Sequence, residues 1–138
     1  MEQVSIMKEN FDPIDGETEN IASKVIEAAF RVHRELGPGL LESVYETCMC
    51  FELREAAVRY ERQTAVEVVY RGTRFPEAFR IDILIEGRIV IEVKAVDQIH
   101  PIHEAQLLTY MKLARCRLGF ILNFNVAKLK DGISRRVL

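Results

Sequence analysis

Every second residue from Phe79 to Ile85, and again from Ile89 to Val93, is Phe, Ile or Val. Only extended backbone places such a set on one face, because side chains alternate sides along a strand. The two runs are separated by Glu86-Gly87-Arg88, a connection too short for anything but a hairpin, with Gly87 supplying the positive φ that a tight turn requires. A preceding run, Val66, Val68 and Tyr70, alternates in the same way and ends at Arg71-Gly72. Three strands with short connections predict antiparallel neighbours.

The same segment holds charges where a buried strand should hold none. Asp82 lies in the second run, and Glu92 and Lys94 lie in the third. Glu92 and Lys94 share a face, and a turn at Glu86-Gly87 brings Asp82 close to them. Two readings fit. One is a solvated sheet face with a Glu–Lys pair, since antiparallel sheets often keep one polar side. Against it, Leu84 and Val90 lie on the same face. The other is a site for a hard cation, because ionised carboxylates among Ile and Val need a partner, and carboxylate oxygens suit Mg²⁺ or Mn²⁺.

The flanking segments read as helices. Ile21, Val25, Ala28, Val32 and Leu36 recur at helical spacing, with Thr18 as the expected N-cap, and Gly37-Pro38-Gly39 ends the run. Next comes a helix with two apolar stripes, Leu41, Val44, Cys48 and Phe51, then Met49, Leu53 and Ala56, which predicts burial on more than one side. A third helix is expected from about Ile102 to Ala114. Leu118–Phe124 reads as a buried strand, and Asp131-Gly132 as a hairpin turn before Ile133–Leu138. Residues 1–17 form an acidic segment without period, expected to be a flexible tail, so a single domain spans 18–138.

A chain of 138 residues supports one hydrophobic core. No run approaches the ~18 apolar residues of a membrane span. The N-terminal acids are unlike a secretory signal, so the expected location is the cytoplasm and no membrane partner is expected. Cys48, Cys50 and Cys116 are an odd set for a disulfide framework and read as small apolar thiols. His100 and His103 lack the further ligands a zinc site needs. His103 reads instead as a cap or as lining for the mouth of a site.

Asp82 followed by Glu92-Val93-Lys94 resembles the Asp…Glu-x-Lys core of the PD-(D/E)xK nuclease superfamily. Gly39-Leu-Leu-Glu42-Ser-Val-Tyr45 reads G-x-x-E-x-x-Y, and Gln106-Leu-Leu-Thr-Tyr110 reads Q-x-x-x-Y. In this order they resemble the small GxxExxY proteins of that superfamily, over about residues 21–137. The Pro that precedes Asp in the family is Ile81 here.

The resemblance implies a restriction-endonuclease-like α/β core: helix, three-strand mixed sheet, helix, strand. An additional N-terminal helix and a C-terminal hairpin flank it. It also implies that Asp82 and Glu92 ligate Mg²⁺ or Mn²⁺, with the Val93 carbonyl, and that Glu42 reaches the metal or its waters. Lys94 positions the attacking water. Gln106 and Tyr110 support the site and the substrate phosphate, and Tyr45, on the same helix face as Glu42, is a further supporting residue. Gln106 and Tyr110, four apart, project from one helix face. Glu46, four residues after Glu42, reads as a bystander, because exposed helix Glu is common.

The net charge of -2 conceals an asymmetry. Residues 1–20 carry six acids and one base; the remainder carries 15 acids and 18 bases. Lys112, Arg115, Arg117, Lys128, Lys130, Arg135 and Arg136 stand against Asp131 alone in the C-terminal segment, a candidate phosphate-facing surface. The expected function is metal-dependent phosphodiester hydrolysis on nucleic acid, with DNA the expected substrate. The rival reading is a nuclease-fold module that binds nucleic acid or a partner without turnover. A third is a subunit that acts as a homodimer or with a partner protein. No base-reading module is evident, so no sequence specificity is expected.

Overall fold

The computed structural model describes residues 12–138, so most of the expected acidic tail lies outside the described residues. The first helix, α1 (Gly16–Leu36), starts two residues before Thr18. Its N-cap is Asp15, whose carboxylate accepts from the Thr18 N–H at 3.0 Å and from Thr18 Oγ1 at 2.8 Å. Thr18 is therefore the capped residue rather than the cap. These bonds hold the Asp15 carboxyl below its ordinary range. Gly37, at φ 66°, ends the helix with its N–H on the His33 carbonyl.

Helix α2 spans Glu42–Glu55. It buries one stripe, Tyr45, Met49, Cys50 and Leu53. The expected stripe of Leu41, Val44, Cys48 and Phe51 is not covered: Leu41 is 74% and Phe51 56% exposed. The first helix occupies one side of α2 and the sheet the next, and nothing among the described residues covers the third.

The sheet has five strands in the order β1-β2-β3-β4-β5: β1 (Tyr60–Tyr70), β2 (Thr73–Ile85), β3 (Ile89–Lys94), β4 (Leu118–Asn123) and β5 (Ile133–Val137). Only β3 and β4 are parallel, and α3 (Pro101–Ala114) makes the crossover that a parallel pair needs. The β4–β5 connection is longer than the expected two-residue turn. It includes a 3₁₀ turn at Leu129–Gly132, after which β5 pairs back on β4. Both tight hairpins have two residues at positive φ, Arg71-Gly72 and Glu86-Gly87, as a turn matched to strand twist demands.

Three layers result. Helices α1 and α2 cover one face through Val25, Ala28, Val32, Met49 and Leu53, packed on Ile83, Ile85, Ile89, Ile91, Leu118 and Leu122. On the other face α3 packs Leu107 and Met111 on Val90 and Ile121. Full burial of each Ile contributes about 1.5–3 kcal/mol. Gly119 sets the depth of α3, for a Cβ there would lie 2.6 Å from Met111 Sδ. Cys50 and Cys116 are buried and Cys48 half-buried, all as free thiols. No helix among the described residues is long and apolar enough to cross a membrane.

Candidate active site

Strand β2 changes face at Asp82. Phe79 and Ile81 pack on the α3 side, whereas Ile83 and Ile85 pack under α1 and α2. The backbone pairing lapses at the same point. Arg62↔Ile83 and Thr64↔Ile81 are paired, but Gln63 and Asp82 between them are not, and Gln63 takes the left-handed conformation at φ 54°. Arg80 Nη1 donates to the Gln63 carbonyl at 3.0 Å and holds that turn of backbone. On the other side the β2–β3 ladder ends at Ile83↔Ile91, so the next pair in register would be Asp82 and Glu92.

Side chains replace the missing ladder. Glu92 Oε2 accepts from the Asp82 N–H at 3.1 Å, and Asp82 Oδ2 accepts from the Val93 N–H at 2.8 Å. Two carboxylates thus face one another across a gap between strands, Glu92 only 6% exposed. Burial raises the Asp82 carboxyl above its ordinary range, opposed by the Val93 N–H. Burial, and next the neighbouring Asp82 charge, push Glu92 up to about 8. At neutral pH the pair therefore holds a proton unless a cation is present.

Behind this pair stands a residue the sequence reading set aside. Glu46 is buried at 6% exposure, not a solvated bystander. Its carboxylate takes Arg62 Nε and, at 3.0 and 3.1 Å, Gln63 Nε2. The same Gln63 nitrogen lies 3.3 Å from Asp82 Oδ1. Gln63 thereby links the helix carboxylate to the strand carboxylate. The i, i+4 spacing of Glu42 and Glu46 was the available signal for Glu46. Gln63 had none, since its place depends on the β1–β2 register. Asn123 was missed as well: buried, it binds Val96 N–H and carbonyl at 3.1 and 3.0 Å and fixes the segment after Lys94.

Tyr45 is fully buried, stacked on Phe124 at 4.6 Å. Its hydroxyl donates to the Gly37 carbonyl at 2.6 Å and accepts from Leu40 N–H at 3.1 Å. It clamps the Gly37–Leu40 turn and so fixes the start of α2, from which Glu42 and Glu46 project. Exposed Glu42 reaches the Ala95 N–H at 3.4 Å, just beyond Lys94. Lys94, half-buried, ends β3 opposite Asn123. On α3, Tyr110 stacks on Phe79 at 4.1 Å, and burial, with the Glu92 and Asp82 charges, raises its hydroxyl. Gln106 is exposed one turn nearer the helix start. His103 Nδ1 accepts from the His100 N–H at 3.1 Å and so caps α3. Burial and the Lys94 ammonium lower its ring below the ordinary value.

The C-terminal bases are not brought together. Arg135 is tied to Glu19 at 2.7 Å, Arg136 to Glu104, and Arg117 to the carbonyls of Leu138, Pro13 and Asp12. Arg115, Arg117, Arg135 and Arg136 lie near the start of β4, and Lys112 in the last turn of α3, all away from Lys94. Lys128 and Lys130 follow the site end of β4. A hollow of about 220 Å³ beside Arg88, Arg115 and Arg117 also lies at that far end. The carboxylate pair, in contrast, opens at the sheet end where the strands part.

Among the described residues no cluster of three or more His, Cys, Asp or Glu side chains could hold a metal. The donors that the strands bring together are the carboxylates of Asp82 and Glu92. That set is all oxygen, and it fits Mg²⁺, which keeps several waters and takes one or two carboxylates, better than it fits zinc.

A mixed sheet flanked by helices, with two carboxylates and a lysine at the open end of adjacent strands, defines a restriction-endonuclease-like fold. The chain belongs to the PD-(D/E)XK nuclease superfamily, whose family model matches residues 19–136. No curated protein and no solved structure shows a significant match to the chain.

Proposed function

We propose that the chain hydrolyses phosphodiester bonds in DNA with Mg²⁺ or Mn²⁺, as a minimal nuclease of the GxxExxY kind working in the cytoplasm. The observation that carries this reading is the juxtaposition of Asp82 and Glu92 where the ladder lapses, with Lys94 two residues on. A bound divalent cation supplies Lewis acidity and water activation. Asp82, Glu92 and the Val93 carbonyl would hold that cation, and Glu42 would reach it or its waters. The Lys94 ammonium positions the attacking water and meets negative charge as it builds on the phosphate. Gln106 donates to a phosphate oxygen, and the Tyr110 hydroxyl, kept protonated, does the same. Gln63 and Glu46 position Asp82.

One observation favours a second reading, a module without turnover. Each carboxylate bonds a backbone N–H of the facing strand and could act only as a stitch. Asp82→Asn and Glu92→Gln separate the two, because the amide oxygen keeps that bond while the charge is lost. Cleavage of linear, nicked and single-stranded DNA and of RNA is measured with Mg²⁺ and Mn²⁺. Loss of cleavage in both variants, with melting unchanged, supports the nuclease; parent-like cleavage overturns it.

A further inference from the structure

Strand β2 outruns β3. From Ile81 back to Thr73 it has no strand partner but β1, with a register shift between Val66 and Val68, so the hairpin runs on past the site; at about 3.3 Å per residue its nine residues span at most roughly 30 Å. The carboxylates sit in the corner between this arm and the end of β3. A polymer seated at Asp82 and Glu92 must therefore run along the arm or away from it.

The two faces of the arm differ. One carries exposed Val69 among self-paired charges: Arg74 bonds Glu67 at 3.1 Å, and Arg80 is tied to Glu77. The other begins as core. Val66, Phe79 and Ile81 pack with α3, and Phe79 stacks on Tyr110 beside the site. The β1–β2 register shifts between Val66 and Val68; beyond the shift the cross-strand pairs Val68↔Phe75 and Tyr70↔Thr73 place these four residues on one face of the hairpin tip, where Phe75 is 47% and Tyr70 63% exposed. Phe75 and Tyr70 are diagonal neighbours, a relation that spaces residues by roughly 7–8 Å, close to the step between unstacked nucleotides. Exposed aromatic rings on a strand that leads to a candidate phosphodiester site suit bases that are out of the helix stack. They do not serve a duplex, which hides its base faces and presents phosphates.

We propose that Phe75 and Tyr70 form a stacking platform for single-stranded nucleic acid entering the site, a substrate class that rests on the nuclease reading above. Arg71, in the tip turn, lies next to a strand's backbone. Because the arm's other arginines are tied to Glu67 and Glu77, stacking outweighs phosphate contact, and the binding depends weakly on salt.

The test measures binding of a fluorescent oligo(dT) and of a duplex to the full chain by anisotropy in EDTA, which blocks cleavage. Phe75→Ala and Tyr70→Ala should each weaken oligo(dT) binding roughly 5- to 150-fold, the range for loss of one base–aromatic stack. Phe75→Leu, apolar but without a π-face, should lose as much, and Phe75→Trp should retain binding. A fourfold rise in salt should weaken the parent less than about tenfold, as one or two phosphate contacts do. Equal binding of duplex, or full binding by the Ala variants, overturns the platform while leaving the nuclease reading intact. So does a dimer in sedimentation that Phe75→Ala or Phe75→Leu dissociates, which would give the face to a second copy. A parent that binds and cleaves no nucleic acid removes the nuclease reading and the platform together.

Discussion

The two halves of β2 belong to one strand and one hairpin, yet they are different materials. Ile83 and Ile85 pair with strands on both sides, lie under two helices and have no exposed surface. Residues 73–78 are all exposed; Thr73, Arg74 and Phe75 pair on one side only, and residues 76–78, at a register shift, have no strand partner. Asp82 stands at the boundary. The contrast teaches that the carboxylates meet where strand pairing fails: there side-chain oxygens take over backbone N–H groups of the facing strand. A fully laddered strand would have no use for Asp82, and a fully solvated one could not raise Glu92 to about 8.

Breaking the buried half should have the largest effect. Ile91→Ala, at a fully buried position between two strands, should lower stability by about 2–5 kcal/mol, the range for large-to-small changes in cores; chemical denaturation measures it. At the boundary, Glu92→Gln should reduce cleavage by roughly 10²–10³-fold without lowering the melting temperature, because transition-state charge stabilisation is lost while the hydrogen bond remains. Behind it, Gln63→Ala should cost about 10–100-fold in activity or metal affinity, as outer-shell partners do, and Mn²⁺ titration by calorimetry separates the two.

The pH dependence of the metal-free protein sharpens the same boundary. The folded Glu92 carboxyl titrates at about 8 against 4.5 unfolded, so the fold favours its protonated form. That stabilisation is complete below 4.5, declines as pH rises, and is gone above about 8. Asp82 shifts the same way. Melting in EDTA should therefore fall between pH 5 and 8, and Glu92→Gln should flatten that slope. The smallest effect is expected on the arm: Val69→Ala, 57% exposed, should change stability by no more than about 0.5 kcal/mol.

Much of the fold is legible in the residues themselves. The period-two runs give β2 and β3, and Arg71-Gly72 and Glu86-Gly87 give their turns, because these signals are local. The N-cap of α1 is misplaced by three residues because Asp15 and Thr18 both suit it, and the choice depends on which carbonyl starts the helix. The apolar face of α2 is misassigned because periodicity says which residues share a side, not what lies against it. In the site, Asp82, Glu92 and Lys94 stand out as charges among Ile and Val. Glu46 does not, because a helical Glu looks solvated until Arg62 and Gln63 arrive from β1.

The sequence alone determined β3, the inner half of β2, the turns at Arg71-Gly72 and Glu86-Gly87, the superfamily motif and the charge asymmetry, since each is written in neighbours a few residues apart; it did not give the first half of β1, the outer half of β2 or the β4–β5 connection. Tertiary structure decided the lapse of pairing at Asp82, the burial of Glu46, the dispersal of the C-terminal bases and the reach of the arm. These depend on register and on which elements meet. Residues distant in the chain set the local dielectric, and it is the dielectric that turns a carboxylate from a solvated charge into a group that calls for a proton or a cation.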